Sequence, residues 1–220
     1  MTDSVIMSSA SQVPEGMNPD AARTWPSSEL IESWLGDSAY DVQLRPGEDS
    51  AVPVDDPERA GAARHFRDVL GRFASGVTVV TSTSDEAPVG MTCQSFSSVS
   101  LEPPLVLFCP AKTSRAWPLI QRSGHFCVNL LAHDQAEISN LMASRGIDKF
   151  ASVEWQRSEA TGSPLLAGIL GYVDCTIEAV HEAGDHYIVL GRVQDLDTSD
   201  APHPLLFFQG RYSRPEHHDA

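Results

Sequence analysis

The sequence is poor in the features that mark several common protein classes. It contains only two lysines among 220 residues, and its net charge is −15, with 15 Lys and Arg against 30 Asp and Glu. Contacts to nucleic-acid phosphates need clustered Lys and Arg, so we expect no nucleic-acid binding. No apolar run approaches the roughly 18 residues of a membrane helix, and the start of the chain shows no secretory signal. We therefore predict no membrane association and a cytoplasmic location.

Motifs typical of hydrolases, nucleotide-binding folds and metal sites are also missing. The chain has no GxGxxG segment after a strand, no GxxxxGK[ST] loop and no GxSxG turn. Its four cysteines lie 16, 18 and 48 residues apart, which suits reduced thiols better than a disulfide framework or a zinc site. His181 and His186 are separated by a segment containing Gly184, so they would not share a helix face, and we predict no metal site.

Composition divides the chain near residue 60. Residues 1–60 form an acidic extension rich in Pro and Ser, with one candidate helix over residues 28–35. Residues 61–213 are predicted to form the folded domain, and residues 214–220 a flexible tail. The extension is either a flexible leader with a transient helix or the carrier of a helix that docks on its own domain or on a partner, and the residues alone do not decide between these.

Periodicity in the remainder predicts a mainly β domain with a few packed helices. Apolar residues at i, i+3, i+4 and i+7 indicate a helix over 57–73, and further helices are predicted over 114–122 and 134–144. Runs rich in β-branched residues predict strands, in chain order, at 76–84, 88–94, 97–101, 104–109, 125–131, 169–181, 186–196 and 205–212. Because helices and strands do not alternate strictly, an antiparallel barrel is favoured over a parallel sheet.

Two stretches carry polar groups suited to binding a ligand. Residues 90–100, GMTCQSFSSVS, offer hydroxyls, one amide and backbone N–H groups between two strands, although a Ser/Thr-rich edge strand would look the same. Residues 111–118, AKTSRAWP, join the end of a strand to the start of a helix. Hydroxyls and cations at a helix N-terminus are the groups that bind phosphate, with ordinary helix capping as the alternative.

Taken together, six segments in order resemble the flavin reductase family. They are GVTVVT at 76–81, GMTCQSFSSVSLEPPLVLFCP at 90–110, KTSRAW at 112–117, SGHFCVNLL at 123–131, GDH at 184–186 before a strand ending in GRV, and PLLFFQGRY at 204–212. The resemblance covers roughly residues 63–213 and points to the small reductase components of two-component flavin-dependent monooxygenases. It implies an antiparallel split β-barrel of the FMN-binding type that usually forms a homodimer. It also implies the reaction, in which NADH or NADPH reduces FMN or FAD and the reduced flavin passes to a separate oxygenase.

The resemblance also assigns roles to individual residues. The segment expected to contact the flavin ring edge and ribityl chain comprises Thr92, Cys93, Gln94 and Ser95, followed by Ser98, Val99 and Ser100. The phosphate side comprises Lys112, Thr113, Ser114 and Arg115, and the groups expected near the flavin or nicotinamide are His186 as the catalytic residue, Phe150 and Tyr212. Relatives often have Ala and Asn where this chain has Cys93 and Gln94, so the ring contact is expected to differ here.

Alternatives remain open for the function and for several residues. A non-catalytic flavin-binding module or flavin carrier would use the same barrel, and a flavin oxidase of the pyridoxamine-phosphate type is less favoured by the SVSLEPPLV and GDH segments. His186 favours a reductase, because a pure carrier needs no group on the nicotinamide side, but it also suits a hydrogen-bonded turn. Phe150 also suits core packing. Asn129, an amide within an apolar run, is interpreted as a buried structural residue.

Overall fold

The computed structural model describes residues 57–144, 148–201 and 203–215. The predicted helix at 28–35, nearly all of the predicted extension 1–60 and most of the predicted tail 214–220 lie outside these residues.

The described residues form a mainly β structure with three helices, as predicted. The helices are α1 (Pro57–Leu70), α2 (Ala116–Ser123) and α3 (Ala136–Ala143). The strands are β1 (Ser75–Gly76), β2 (Thr78–Ser84), β3 (Ala87–Cys93), β4 (Ser97–Leu101), β5 (Pro104–Phe108), β6 (His125–Leu130), β7 (Trp155–Arg157), β8 (Pro164–Leu166), β9 (Gly171–Ala183), β10 (His186–Thr198), β11 (Leu206–Phe208) and β12 (Arg211–Ser213). Every strand pairing is antiparallel.

The main sheet curves so that its two edges approach each other. Its seven strands run in the order β3-β2-β6-β9-β10-β5-β4, so β3 and β4 are the edge strands. Only residues 94–96 connect these two edges. A flat sheet of this size would hold its edges about 29 Å apart, whereas so short a connection spans at most about 14 Å. The sheet therefore bends round, and residues 94–96 bridge the gap between its edges.

The structure corrects three details of the predicted elements. The predicted strand 205–212 is a hairpin, β11 and β12, because Gln209 and Gly210 adopt φ angles of 49° and 76° and form a turn. The first helix ends at Leu70 instead of residue 73. The short strands β7 and β8, which pair with each other, were not predicted, because three residues are too few for a recognisable alternating pattern.

Two hydrophobic clusters pack against the main sheet. The first contains Phe108, Trp117 and Phe126, and the second contains Leu131, Met142 and Phe150, among other buried residues. Aromatic rings of the first cluster meet edge to face, with the centroids of Phe108 and Phe126 4.9 Å apart. Since successive side chains of a strand point to opposite faces, β2 contributes to both clusters, with Val80 in the first and Val79 in the second.

The interpretation of Asn129 as a buried structural amide is confirmed. Its side chain is fully buried in β6. Its Oδ1 accepts a hydrogen bond from the Leu166 N–H at 2.8 Å, and its Nδ2 donates to Val79 O and to Thr81 Oγ1 at 3.2 and 3.0 Å. The amide thereby ties β8 to the neighbouring strands β2 and β6 of the main sheet.

A second buried polar network surrounds His125. Ser163 Oγ lies 2.9 Å from His125 Nδ1 and 2.7 Å from Thr161 Oγ1, which in turn donates to Asp174 Oδ1 at 2.6 Å. Burial lowers the pKa of His125, and the Asp174 carboxylate partly opposes that shift. Because His125 lies two residues after the end of α2, this network fixes the C-terminal end of α2, at the opposite end from the predicted phosphate site.

Helix α1 directs apolar side chains to solvent. Phe66, Val69 and Leu70 are 64, 53 and 54% exposed, and Phe73 beyond the helix end is 81% exposed. The helix is connected to the β11–β12 turn through a hydrogen bond from the Gln209 N–H to Gly71 O at 2.9 Å. None of the helices among the described residues combines the length and the apolar character needed to cross a membrane.

Candidate functional site

The short connection between the sheet edges carries two of the predicted flavin contacts. Gln94 and Ser95 are both exposed there, whereas Cys93 just before them is buried. Ser95 Oγ accepts a hydrogen bond from the Cys109 N–H at 2.8 Å and lies 3.1 Å from Cys93 Sγ. The Ser95 hydroxyl thus joins the end of β3 to the end of β5. The Gln94 amide remains at the surface, where it can hydrogen-bond to a ligand.

Edge strand β4 carries the next three predicted contacts. Ser98 and Val99 are exposed, with Val99 at 47%, and Ser100 is half-buried. The register against β5 shifts between Ser98 and Ser100, so the strand bulges at Val99. Bulges redirect the side chains next to them, and this one lies on the free edge of the sheet beyond Gln94 and Ser95.

The predicted phosphate loop is held against the GDH turn. The Lys112 N–H donates to Asp185 O at 2.9 Å, the Tyr187 N–H donates to Pro110 O at 2.9 Å, and Ala111 pairs with His186. Backbone hydrogen bonds therefore connect two segments that are more than seventy residues apart in the sequence. The structure places the predicted phosphate side and the predicted catalytic histidine next to each other.

The start of α2 has the donor set of an anion site. Ser114 Oγ accepts a hydrogen bond from the Trp117 N–H at 3.2 Å and so satisfies one free N–H group at the start of this helix, where Arg115 is the N-cap residue. Thr113, Ser114 and Arg115 are half-buried at the helix N-terminus, while Lys112 is exposed. Hydroxyls, cations and the positive end of the helix dipole therefore converge. Together with the exposed Gln94 amide, these groups fit a phosphate joined to a polar heterocycle, as in a flavin nucleotide.

His186 is oriented by its neighbour in the chain. Its Nδ1 lies 2.8 Å from Asp185 Oδ1, and the His186 side chain is 45% exposed. Because a carboxylate only accepts, Nδ1 carries the hydrogen and the Nε2 atom remains for a ligand. The hydrogen bond from His186 and the nearby Lys112 charge lower the pKa of the Asp185 carboxyl. The imidazole is therefore held by one nitrogen and accessible at the other.

Three other predicted site residues meet around α3. Thr92 Oγ1 donates to Ser139 O, and Tyr212 OH donates to Asn140 Oδ1 at 2.8 Å and lies 2.9 Å from Ser139 Oγ. Phe150 is buried in the second hydrophobic cluster, 8% exposed. Since Thr92 and Cys93 point to opposite faces of β3, the structure does not gather Thr92, Phe150 and Tyr212 with the Lys112 loop.

Several residues near the site were not assigned by the sequence analysis. Glu182 Oε2 lies 3.2 Å from Lys112 Nζ, and the Tyr187 ring centroid lies 5.5 Å from the same ammonium. The other lysine, Lys149, donates to Gly90 O at 3.1 Å and Met142 O at 2.7 Å, and burial lowers its pKa. The alternation of β9 and β10 around the Gly184 turn was the signal that could have placed Glu182 beside Tyr187.

Comparison with known proteins yields a consistent set of similarities. The flavin reductase like domain family matches residues 70–216. The reductase subunit HsaB of a flavin-dependent monooxygenase from Mycobacterium tuberculosis is 51% identical over 152 residues, 68% of this chain and 81% of that protein. Among solved structures, nitrilotriacetate monooxygenase component B from Mycobacterium thermoresistibile is 48% identical with a TM-score of 0.69, covering 71% of this chain and 88% of that one. The NADH:FAD oxidoreductase SgcE6 from Streptomyces globisporus C-1027, in complex with NAD and FAD fragments, is 37% identical with a TM-score of 0.66, covering 75 and 98%.

Proposed function

Because this chain belongs to the flavin reductase family, we propose that it is the reductase component of a two-component flavin-dependent monooxygenase. In this role it uses NADH or NADPH to reduce free FMN or FAD and passes the reduced flavin to a separate oxygenase. Three relatives support the reaction and the partner, namely the reductase subunit of a flavin-dependent monooxygenase, a component B of another monooxygenase and an NADH:FAD oxidoreductase.

The observation that carries the proposal is the contact between the Lys112 loop and the GDH turn. A flavin with its phosphate at the N-terminus of α2 would be anchored by Lys112, Ser114 and Arg115, with Gln94 near the polar edge of its ring. His186 would then face the nicotinamide side through Nε2, held in place by Asp185. Flavin itself, when bound, supplies the chemistry that accepts two electrons from the nicotinamide. The chain therefore needs to bind and orient the two nucleotides, and the reaction requires no nucleophile from it.

We also propose that the curved sheet forms a split β-barrel and that two copies pair as a homodimer. The approach of edge strands β3 and β4 supports the barrel. The exposed Phe66, Leu70 and Phe73 side chains support pairing, because apolar groups clustered at the surface are typical of association surfaces. Light scattering after size-exclusion chromatography tests the dimer. A mass equal to a single chain of 23.8 kDa at micromolar concentration would contradict it.

A cytoplasmic location is part of the same proposal. Cys93, Cys109, Cys127 and Cys175 are free thiols, which suits a reducing compartment, and NADH is a cytoplasmic reductant. Recovery of the native chain mainly from the culture supernatant or the membrane fraction would contradict this location.

The reaction is tested by following the absorbance of NADH and NADPH at 340 nm in air, with FMN and then FAD added. We expect oxidation that depends on added flavin, because the chain is proposed to release reduced flavin for reoxidation. A sample that quenches flavin fluorescence but leaves both nicotinamides unchanged would overturn the reductase and favour the flavin carrier. The Lys112→Met variant, assayed in the same way, separates flavin affinity from turnover. We expect it to need a higher FMN concentration than the wild type to reach the same rate of NADH oxidation.

A further inference from the structure

The Lys112 ammonium already has a carboxylate partner within the chain. Glu182 Oε2 lies 3.2 Å from Lys112 Nζ. Glu182 and Tyr187 are cross-strand partners in the β9–β10 hairpin, and the Tyr187 ring lies 5.5 Å from the same ammonium. One hairpin thus supplies both side chains that hold Lys112. The only lysine on the predicted phosphate side is therefore paired before any ligand arrives.

The charge around Lys112 disfavours a second anion. Asp185 lies in the turn of the same hairpin, and the Lys112 charge contributes to the lowered pKa of its carboxyl. Two carboxylates, those of Glu182 and Asp185, therefore act on one ammonium, in a chain whose net charge is −15. A phosphate that approaches Lys112 is repelled by Glu182 and must replace it.

We propose that Glu182 competes with the flavin phosphate for Lys112 and so weakens flavin binding and shortens its residence. This inference rests on the proposed function and concerns affinity and release. Glu182 has a side chain that is 78% exposed, so it can swing into water when phosphate binds and return when the flavin leaves. A reductase that hands reduced flavin to a separate protein needs such release. Weak binding then follows from a carboxylate that is ready to pair with Lys112 again.

The test is the affinity for oxidised FMN of the Glu182→Gln variant, measured by quenching of flavin fluorescence. Glutamine keeps the size of the side chain and removes its charge. We expect the Kd for FMN to fall by roughly fivefold at low salt, the scale of one exposed ion pair, and the difference to shrink as salt is added. Riboflavin, which lacks the phosphate, is the matched ligand, and its Kd should not change.

Glu178→Gln is the matched control variant. Glu178 lies on the same strand β9 and pairs with Arg192, at 2.7 and 2.8 Å, so its charge is removed without affecting Lys112. We expect it to leave the Kd of both FMN and riboflavin unchanged. An equal change in FMN binding for Glu178→Gln and Glu182→Gln would overturn the inference, because the effect would then come from the net charge of the chain.

Other outcomes also contradict the inference. An unchanged or higher Kd for FMN in Glu182→Gln would show that Glu182 positions Lys112 for phosphate, and an equal effect on riboflavin would show that phosphate is not involved. A full fivefold effect of Glu182→Gln in the Lys112→Met background would exclude competition for Lys112. A wild-type chain that binds FMN but oxidises no nicotinamide would overturn the proposed function alone, since these binding results do not depend on turnover.

Discussion

Replacing Gly191 with alanine is expected to lower the free energy of unfolding by about 3 kcal/mol, the upper end of the usual cost of overpacking a core. A Cβ at this position of β10 would lie 2.3 Å from Phe126 Cζ, 2.9 Å from Phe126 Cε1 and 3.1 Å from Cys175 Cβ. Phe126 and Cys175 are fully buried, and the Phe126 ring packs edge to face against Phe108. The ring therefore has no free space to move into.

Urea denaturation followed by tryptophan fluorescence measures this loss, at equal chain concentrations because association stabilises the folded state. Gly76→Ala is the matched control, since its Cβ would meet no atom within 4 Å and its stability should stay within about 0.5 kcal/mol of wild type. The second variant Gly191→Ala/Phe126→Leu should recover part of the loss. Equal urea midpoints for Gly191→Ala and wild type would contradict this prediction, because the cluster around Phe126 would then rearrange to accommodate the added methyl group.

Periodic patterns in the sequence predicted most helices and strands, because these elements depend mainly on residues that are neighbours in the chain. The strands before and after the Gly184 turn follow from local sequence, and the structure has them. The pairing order of the strands does not follow in this way, because it depends on contacts between distant segments. The bend that brings β3 and β4 together, with Gln94 and Ser95 between them, appears only when the order of all seven strands is known.

The same reason limits how much of the site could be predicted. The Lys112 loop and His186 were each identified from local sequence and by resemblance, but their contact depends on the pairing of Ala111 with His186. The alternation of side chains along β3 could have separated Thr92 from Cys93 without a structure. The exposed apolar face of α1 could not have been predicted, because an amphipathic pattern shows that a helix has an apolar face but not what that face contacts.

We expect His186→Gln to lower kcat/KM for NADH by roughly ten- to hundredfold, the effect of losing one hydrogen bond made to the bound nicotinamide or flavin in the transition state. The imidazole of His186 contacts Asp185 through Nδ1, at 2.8 Å, and presents Nε2 to the ligand from a rigid ring. The glutamine amide can hydrogen-bond, but it cannot replace both nitrogens at once. The Kd for oxidised flavin, measured by fluorescence quenching, should change less than about twofold. One side-chain contact on the nicotinamide side contributes little to binding of the oxidised flavin.

Two further variants separate a ligand contact from a structural role in the turn. Asp185→Asn keeps an acceptor for Nδ1 but removes its charge, so we expect a smaller loss in kcat/KM, with the KM for NADH rising more than kcat falls. His181→Gln is the control, since His181 pairs with Ile188 farther along the same hairpin, whereas it is His186 that pairs with Ala111 of the Lys112 loop. If His186→Gln and His181→Gln lower kcat/KM and the urea midpoint alike, His186 is a turn residue. A loss of kcat/KM at an unchanged midpoint, confined to His186 and Asp185, is the result that a nicotinamide-side contact requires.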